Sequence, residues 1–202
     1  MRYKFLSFLL LMLSLTACAP PIYFASGFRG QVIDEQTGEP LEKVIVVAVW
    51  KAGGVGFGDT GLDQRLRVYE TITDSQGYFT VPSGLALRNP FTRSPEGAGL
   101  YGFKSGYLAG FLSGYQSYQL RPLSKDISLE KQALEASSVF NPIVDNSNPQ
   151  DWKKYPRMVL AMSKEVKRLI SMGVKWHLPN IPSIEDFSKE DKQFLERFRN
   201  EI

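Results

Sequence analysis

Two turn signals in the stretch from Arg29 to Pro82 constrain this chain more than any other feature. The first, Asp34-Glu-Gln-Thr-Gly38, separates the β-type run Gln31–Asp34 from the continuously apolar run Val44–Trp50. The second, Asp74-Ser-Gln-Gly77, separates Val68–Thr73 from Tyr78–Val81. Gly38 and Gly77 supply positions where a positive φ costs little, and Asp34 and Asp74 can accept backbone N–H groups within the turns. Pro40 and Pro82 end strand pairing. The pattern predicts antiparallel β-structure, with Val44–Trp50 as a central strand covered on both sides or a sandwich core strand. Further strands are expected at Leu100–Lys104, Tyr118–Leu120 and Asp126–Glu130. That makes about seven strands in roughly a hundred residues, the size of a β-sandwich.

These residues also resemble a known family. Gly30-x-Val32-x-Asp34-x-x-Thr37-Gly38-x-Pro40-Leu41-x-x-Val44 is similar to the opening of the carboxypeptidase regulatory-like domain. Thr73-Asp74-x-x-Gly77-x-Phe79-x-Val81-Pro82 resembles its second signature. Phe103-Lys-Ser-Gly106-Tyr107 and Ile127-x-Leu129 are similar to its later strands. The resemblance covers residues 29–131 and implies a transthyretin-like or Ig-like sandwich, an accessory module without catalytic residues. The expected fold is therefore mainly β, with a helical appendage at its C-terminus.

The N-terminus reads as an address. Arg2 and Lys4 precede an apolar run from Phe5 to Leu15, which is short for a membrane span. The run closes with Leu15-Thr16-Ala17-Cys18, which resembles the lipobox of bacterial lipoproteins. The resemblance implies cleavage of residues 1–17, a thioether diacylglycerol on Cys18 and acylation of its new amine. Each buried CH₂ contributes roughly 0.8 kcal/mol, so several acyl chains hold where one would not. Cys18 is the chain's one cysteine, which fits a processing point, and Ala19 after it resembles the outer-membrane sorting pattern of Gram-negative cells. Residues 18–28 then read as a tether.

Composition narrows the function classes. Without residues 1–17 the formal charge falls from +3 to +1, which is no footprint for a nucleic-acid binder. One histidine, His177, and one cysteine argue against zinc, and a calcium site at Asp34 and Asp74 would need about six to eight oxygen ligands. No metal or other cofactor is expected. Gly56-Phe-Gly58-Asp-Thr-Gly61 matches a dinucleotide fingerprint, but no helical pattern opens there, so it reads as loop. No nucleophile–histidine arrangement or Gly-x-Ser-x-Gly elbow is present, so catalysis is not expected. Glycines at 102, 106, 110 and 114, each followed by Phe103, Tyr107, Phe111 or Tyr115, read as a strand leading into an aromatic loop. Tyr107, Phe111 and Tyr115 are candidates for stacking on a sugar or anchoring a partner.

After residue 131 the composition changes. Residues 132–148 read as polar loop. Pro156–Met172 places Met158, Val159, Met162, Val166, Leu169 and Ile170 on one helical stripe, with Gly173 as a stop. Ser188-Lys-Glu-Asp191 resembles a capping box before a short helix carrying Phe194, Leu195 and Phe198. Both stripes are expected to pack on the sandwich or on each other, with docking to a partner as the alternative. The leading functional expectation is a non-enzymatic, lipid-anchored envelope protein with a structural or protein-interaction role. The rival is a glycan- or small-ligand-binding lipoprotein using the aromatic loop 101–118.

Overall fold

The computed structural model describes residues 21–53, 64–89, 92, 97–112, 117–144, 150–179, 181 and 184–201. Among these the protein is mainly β, with three sheets and a layer of helices. The strands are β1 (Ile22–Ala25), β2 (Phe28–Asp34), β3 (Ile45–Ala52), β4 (Gln64–Ile72), β5 (Tyr78–Val81), β6 (Gly84–Leu87), β7 (Ala98–Phe103), β8 (Gly110–Phe111) and β9 (Ser117–Leu120). The helices are α1 (Leu129–Phe140), α2 (Pro156–Ser171) and α3 (Lys189–Glu196). The sheets run β1–β6, β5–β2–β9 and β4–β3–β7–β8, and β2 pairs with β9 in parallel.

The run that begins at Val44 forms the central strand of the largest sheet, as its unbroken apolar character requires. Its two faces serve two cores. Ile45, Val47 and Val49 join a cluster with Phe140, Tyr155, Met158 and Met162 of the helical layer. Val46, Ala48 and Trp50 join Val32, Phe79, Val81, Leu100 and Leu120, so this cluster bridges the two larger sheets. Edge-to-face contacts of Phe28 with Trp50 and with Phe79, at 6.4 and 6.3 Å between centroids, run through the second cluster.

The turns form as their residues dictate. Asp34 Oδ1 accepts from the N–H groups of Gln36 and Thr37, at 2.7 and 3.0 Å, and Asp74 Oδ1 accepts from Gln76 and Tyr78, both at 2.9 Å. Gly38 and Gly77 have φ of +73° and +72°. Gly77 is also needed for space, because a Cβ there would stand 2.5 Å from the Val32 carbonyl oxygen. Thr73 ties the connections together from a buried position: its hydroxyl accepts from Val44 N–H at 2.8 Å and donates to the Leu41 carbonyl at 2.6 Å.

Helices α2 and α3 form where their sequence patterns place them, except that Ile170, expected on the α2 stripe, is 53% exposed and Val166 is only half-buried. Pro156 occupies the first turn of α2, and Met158, Val159, Met162 and Leu169 are buried, with Trp152 and Tyr155 packed beside them. Ser188 caps α3, its hydroxyl oxygen accepting from Asp191 N–H at 3.1 Å. Leu195 is buried in the same cluster, with Phe194 and Phe198 against it.

Three expectations are corrected. Residues 18–28 are not a tether throughout, since β1 spans Ile22–Ala25 and β2 starts at Phe28. Asp126–Glu130 is not a strand, and residues 132–140 are not loop. Ser128 instead caps α1 by accepting from Lys131 N–H at 3.2 Å, and Ala133, Ala136, Val139 and Phe140 form its buried stripe. The cap offers the first turn a partner that an isolated Ile127-x-Leu129 alternation cannot match. Strands β6 and β8 had no counterpart among the expected strands. The Gly56–Gly61 motif lies outside the described residues.

Two buried charge pairs fasten the helical layer to β4. Glu70 accepts from the backbone N–H groups of Arg157 and Met158 at the start of α2, at 3.2 and 2.7 Å, and pairs with the Arg157 guanidinium at 3.2 Å. Arg65 pairs with Asp151 and donates to the Ile143 carbonyl. Arg65 and Glu70 differ in strand parity, yet both meet the helical layer. The register shift between Trp50 and Lys51, opposite Arg67 and Arg65, supplies the bulge that turns Arg65 to that side.

Candidate functional site

The candidate residues from the sequence do not converge. Cys18 and Tyr115 lie outside the described residues. Tyr107 follows the turn after β7, and its hydroxyl donates to Asp34 Oδ2 at 2.8 Å. The N–H of Thr37 and then the Tyr107 hydroxyl hold the Asp34 carboxyl below its ordinary range, while burial and the same bond raise Tyr107. Tyr107 therefore braces the first turn from across the fold. Phe111 in β8 differs: it is 58% exposed, with an edge contact to Tyr101 at 5.6 Å between centroids. It borders an open groove of about 460 Å³ that Glu35, Arg121, Lys131 and Glu135 also line. Arg121 and Glu35 are already paired there, at 2.6 Å.

A second cleft, of about 270 Å³, opens between α2 and the Ile45 and Phe103 ends of β3 and β7. Its floor is Ile45, Phe103 and Ala161, and its rim carries Lys43, Lys104, Lys164 and Arg168. Glu165 is the one carboxylate among the lining residues, and Arg168 takes it in a two-pronged contact, with Nε to Oε2 at 2.9 Å. That contact raises Arg168 above its ordinary value, and Arg168 also donates to Gln132 Oε1 at 2.6 Å. Lys104 donates to the Glu42 carbonyl, and burial lowers its ammonium from the usual range. Lys43 is placed by a left-handed backbone, with φ of 59°. Three lysines thus surround an apolar floor whose local carboxylate is already engaged. Such a site can accept a carboxylate or phosphate carried on an apolar stem.

Only part of this cleft had a signal in the sequence. Lys164 and Arg168, four apart on α2, stand on the polar side of the helical stripe. Lys43 and Lys104 come from distant turns and become neighbours of α2 only through tertiary packing.

Among the described residues Glu70 carries the largest carboxyl perturbation. Burial pushes it up to about 7, against the lowering effect of the Met158 and Arg157 N–H groups and the Arg157 charge. A displaced pKa often marks catalysis. Here the carboxyl is sealed beneath the start of α2, and all its contacts belong to the helix junction. Among the described residues no group of three or more His, Cys, Asp or Glu is placed to hold a metal ion, and no helix is long and apolar enough to cross a membrane.

No protein-family model matches the sequence, and no curated protein matches it. Among solved structures, the crystal structure of a 9R-lipoxygenase from Cyanothece PCC8801 is matched at 16% identity with a TM-score of 0.25. The match covers 77% of this chain and 25% of the lipoxygenase. A score so low carries no argument about fold or activity.

Proposed function

We propose that this chain is a non-enzymatic, lipid-anchored protein of the cell envelope, held by acylated Cys18 in the outer membrane of a Gram-negative cell and acting as a structural or protein-interaction module. Its two larger sheets are read as the leaves of a transthyretin-like sandwich, a reading supported by the apolar cluster they share. The observation that carries the interaction role is the cleft beside α2. Lys43, Lys104 and Lys164 ring an apolar floor there, a surface suited to an acidic segment of an envelope partner. The non-enzymatic reading is supported by how the buried charges are used. Glu70 with Arg157 and Arg65 with Asp151 are joined across the helix–sheet seam.

Crosslinking of the full chain in its native membrane tests the interaction. Adducts between an acidic stretch of one envelope protein and Lys43, Lys104 or Lys164 are expected, and K104E/K164E should lose them. Adducts unchanged by that double variant, or none at all, overturn the role given to the cleft. Separately, Cys18→Ala should leave the membrane fraction.

A second reading is favoured by Phe111, whose exposed ring stands over a groove with hydrogen-bonding groups on its rim. In this reading the groove stacks a sugar or small ring on Phe111 rather than on Tyr107, which is engaged by Asp34. Phe111→Ala should then abolish binding to an oligosaccharide panel without lowering Tm. A panel that never binds the parent chain rejects this reading.

A further inference from the structure

Strands β1 and β6 form a ribbon whose faces are inverted. The register sets Ile22 against Leu87, Tyr23 against Ala86, Phe24 against Leu85 and Ala25 against Gly84. Directly opposed residues of an antiparallel pair share a face, and faces alternate along each strand. The inner face is Tyr23, Ala25, Gly84 and Ala86, and from it Tyr23 and Ala25 reach the core between the sheets. The outer face is Ile22, Phe24, Leu85 and Leu87, exposed by 55%, 60%, 70% and 77%. The four large aliphatic and phenyl side chains thus face outward, while Tyr23 and three small residues, Ala25, Gly84 and Ala86, face the protein. One exposed leucine needs no cause, but four adjoining large apolar residues mark a contact surface.

The chain just upstream indicates what covers them. Arg88 N–H donates to the Pro21 carbonyl at 2.7 Å, so the backbone is fastened to the ribbon from Pro21 onward. Cys18 stands three residues earlier. Three residues reach at most about 11 Å, little more than the headgroup layer of one leaflet, about 5–8 Å deep. An anchor so close leaves the ribbon little room to stand away from the lipid.

We propose that the outer face of the β1–β6 ribbon is a membrane-docking surface. It inserts Ile22, Phe24, Leu85 and Leu87 into the headgroup boundary of the leaflet that holds Cys18, and so fixes how the body stands on the bilayer. The proposal rests on the acylation of Cys18 stated above. Amphipathic faces of this kind settle about 5–10 Å into that boundary.

The test uses the full chain with Leu85→Cys, labelled with the fluorophore NBD. The vesicles contain phosphatidylethanolamine, phosphatidylglycerol and a lipid bearing a doxyl quencher just below its headgroup. An acylated Cys18 cannot take the label, so labelling of the parent chain reads acylation independently. NBD at residue 85 should be quenched about twofold on these vesicles, as expected for insertion to that depth. A label at Ser138→Cys on α1 should be unaffected, and adding F24D/L87D should remove the effect at 85. Equal quenching at 85 and 138, or none at 85, overturns the proposal and leaves the anchor standing. A label shielded from water but not quenched by lipid assigns the face to a protein or a second copy, which also overturns it. If the parent chain does take label, the anchor reading falls. The ribbon is then measured in a Cys18→Ser background mixed with the same vesicles, where quenching supports docking and its absence rejects it.

Discussion

The two faces of β3 are built from neighbouring residues and held in different ways. On one side Val46, Ala48 and Trp50 meet the second sheet through aliphatic and aromatic contacts. On the other, Ile45, Val47 and Val49 meet helices that are also fastened by the buried pairs Glu70–Arg157 and Arg65–Asp151. Apolar contact is non-directional and indifferent to pH, whereas a buried ion pair demands one geometry and leaves a stranded charge when half of it is lost. The seam to the helices is therefore specific in register and vulnerable to single substitutions.

The most damaging way to break this contrast is Asp151→Ala. It strands the Arg65 guanidinium inside the seam and should cost about 3–5 kcal/mol in chemical denaturation. Arg65→Met with Asp151→Leu should recover most of that loss, because neither member of this pair then leaves a charge stranded. Leu120→Ala, on the sheet-to-sheet side, should cost about 2–5 kcal/mol, and the cost should be the same at pH 5 and pH 8. A Leu120 penalty that varied with pH would contradict the division.

Glu70 gives the seam a pH dependence with a definite sign. Its folded-state value is raised from 4.5 to about 7, so the folded protein holds the proton more tightly than the unfolded chain. Its contribution is complete below about pH 4.5 and declines as pH rises to about 7, by about 3 kcal/mol in total. Stability measured across that window should slope downward in the parent chain, and the slope should vanish in Glu70→Gln. At the small end, Tyr107→Phe removes a hydroxyl from the Asp34 carboxylate at the first turn. It should lower stability only slightly and move the Asp34 carboxyl back toward its ordinary value. NMR titration of that side chain reads both the direction and the loss.

Much of the frame was legible because its determinants are local. Asp34 and Asp74 bond backbone groups within four residues of themselves, and the α2 stripe and the Ser188 cap are each contained in one segment. What escaped depends on distant partners. Strand β1 is four residues long, and β6, which pairs with it, comes some sixty residues later, so Ile22–Ala25 reads as linker until its partner is known. Helix α1 hides behind serines and charges, because the first half of its stripe is Ala133 and Ala136, which add little to an apolar pattern. The candidate cleft was legible only at Lys164 and Arg168. Its other lysines come from turns whose position beside α2 is a property of the assembled fold. Of the aromatic trio, no spacing rule distinguishes Tyr107, tied to Asp34, from Phe111, left open.

The parallel pairing of β2 with β9 bears on how this chain must be made. A chain emerging from its N-terminus presents Gln31–Asp34 early, but their partners Ser117–Leu120 arrive more than eighty residues later. Until then one edge of β2 has no strand to complete it, and non-local parallel pairing is slow to close. The nascent chain thus carries an open, partly apolar edge for most of its synthesis, which exposes it to pairing with other chains. Yield on expression should then follow how fast β9 is delivered more closely than it follows the stability of the finished fold.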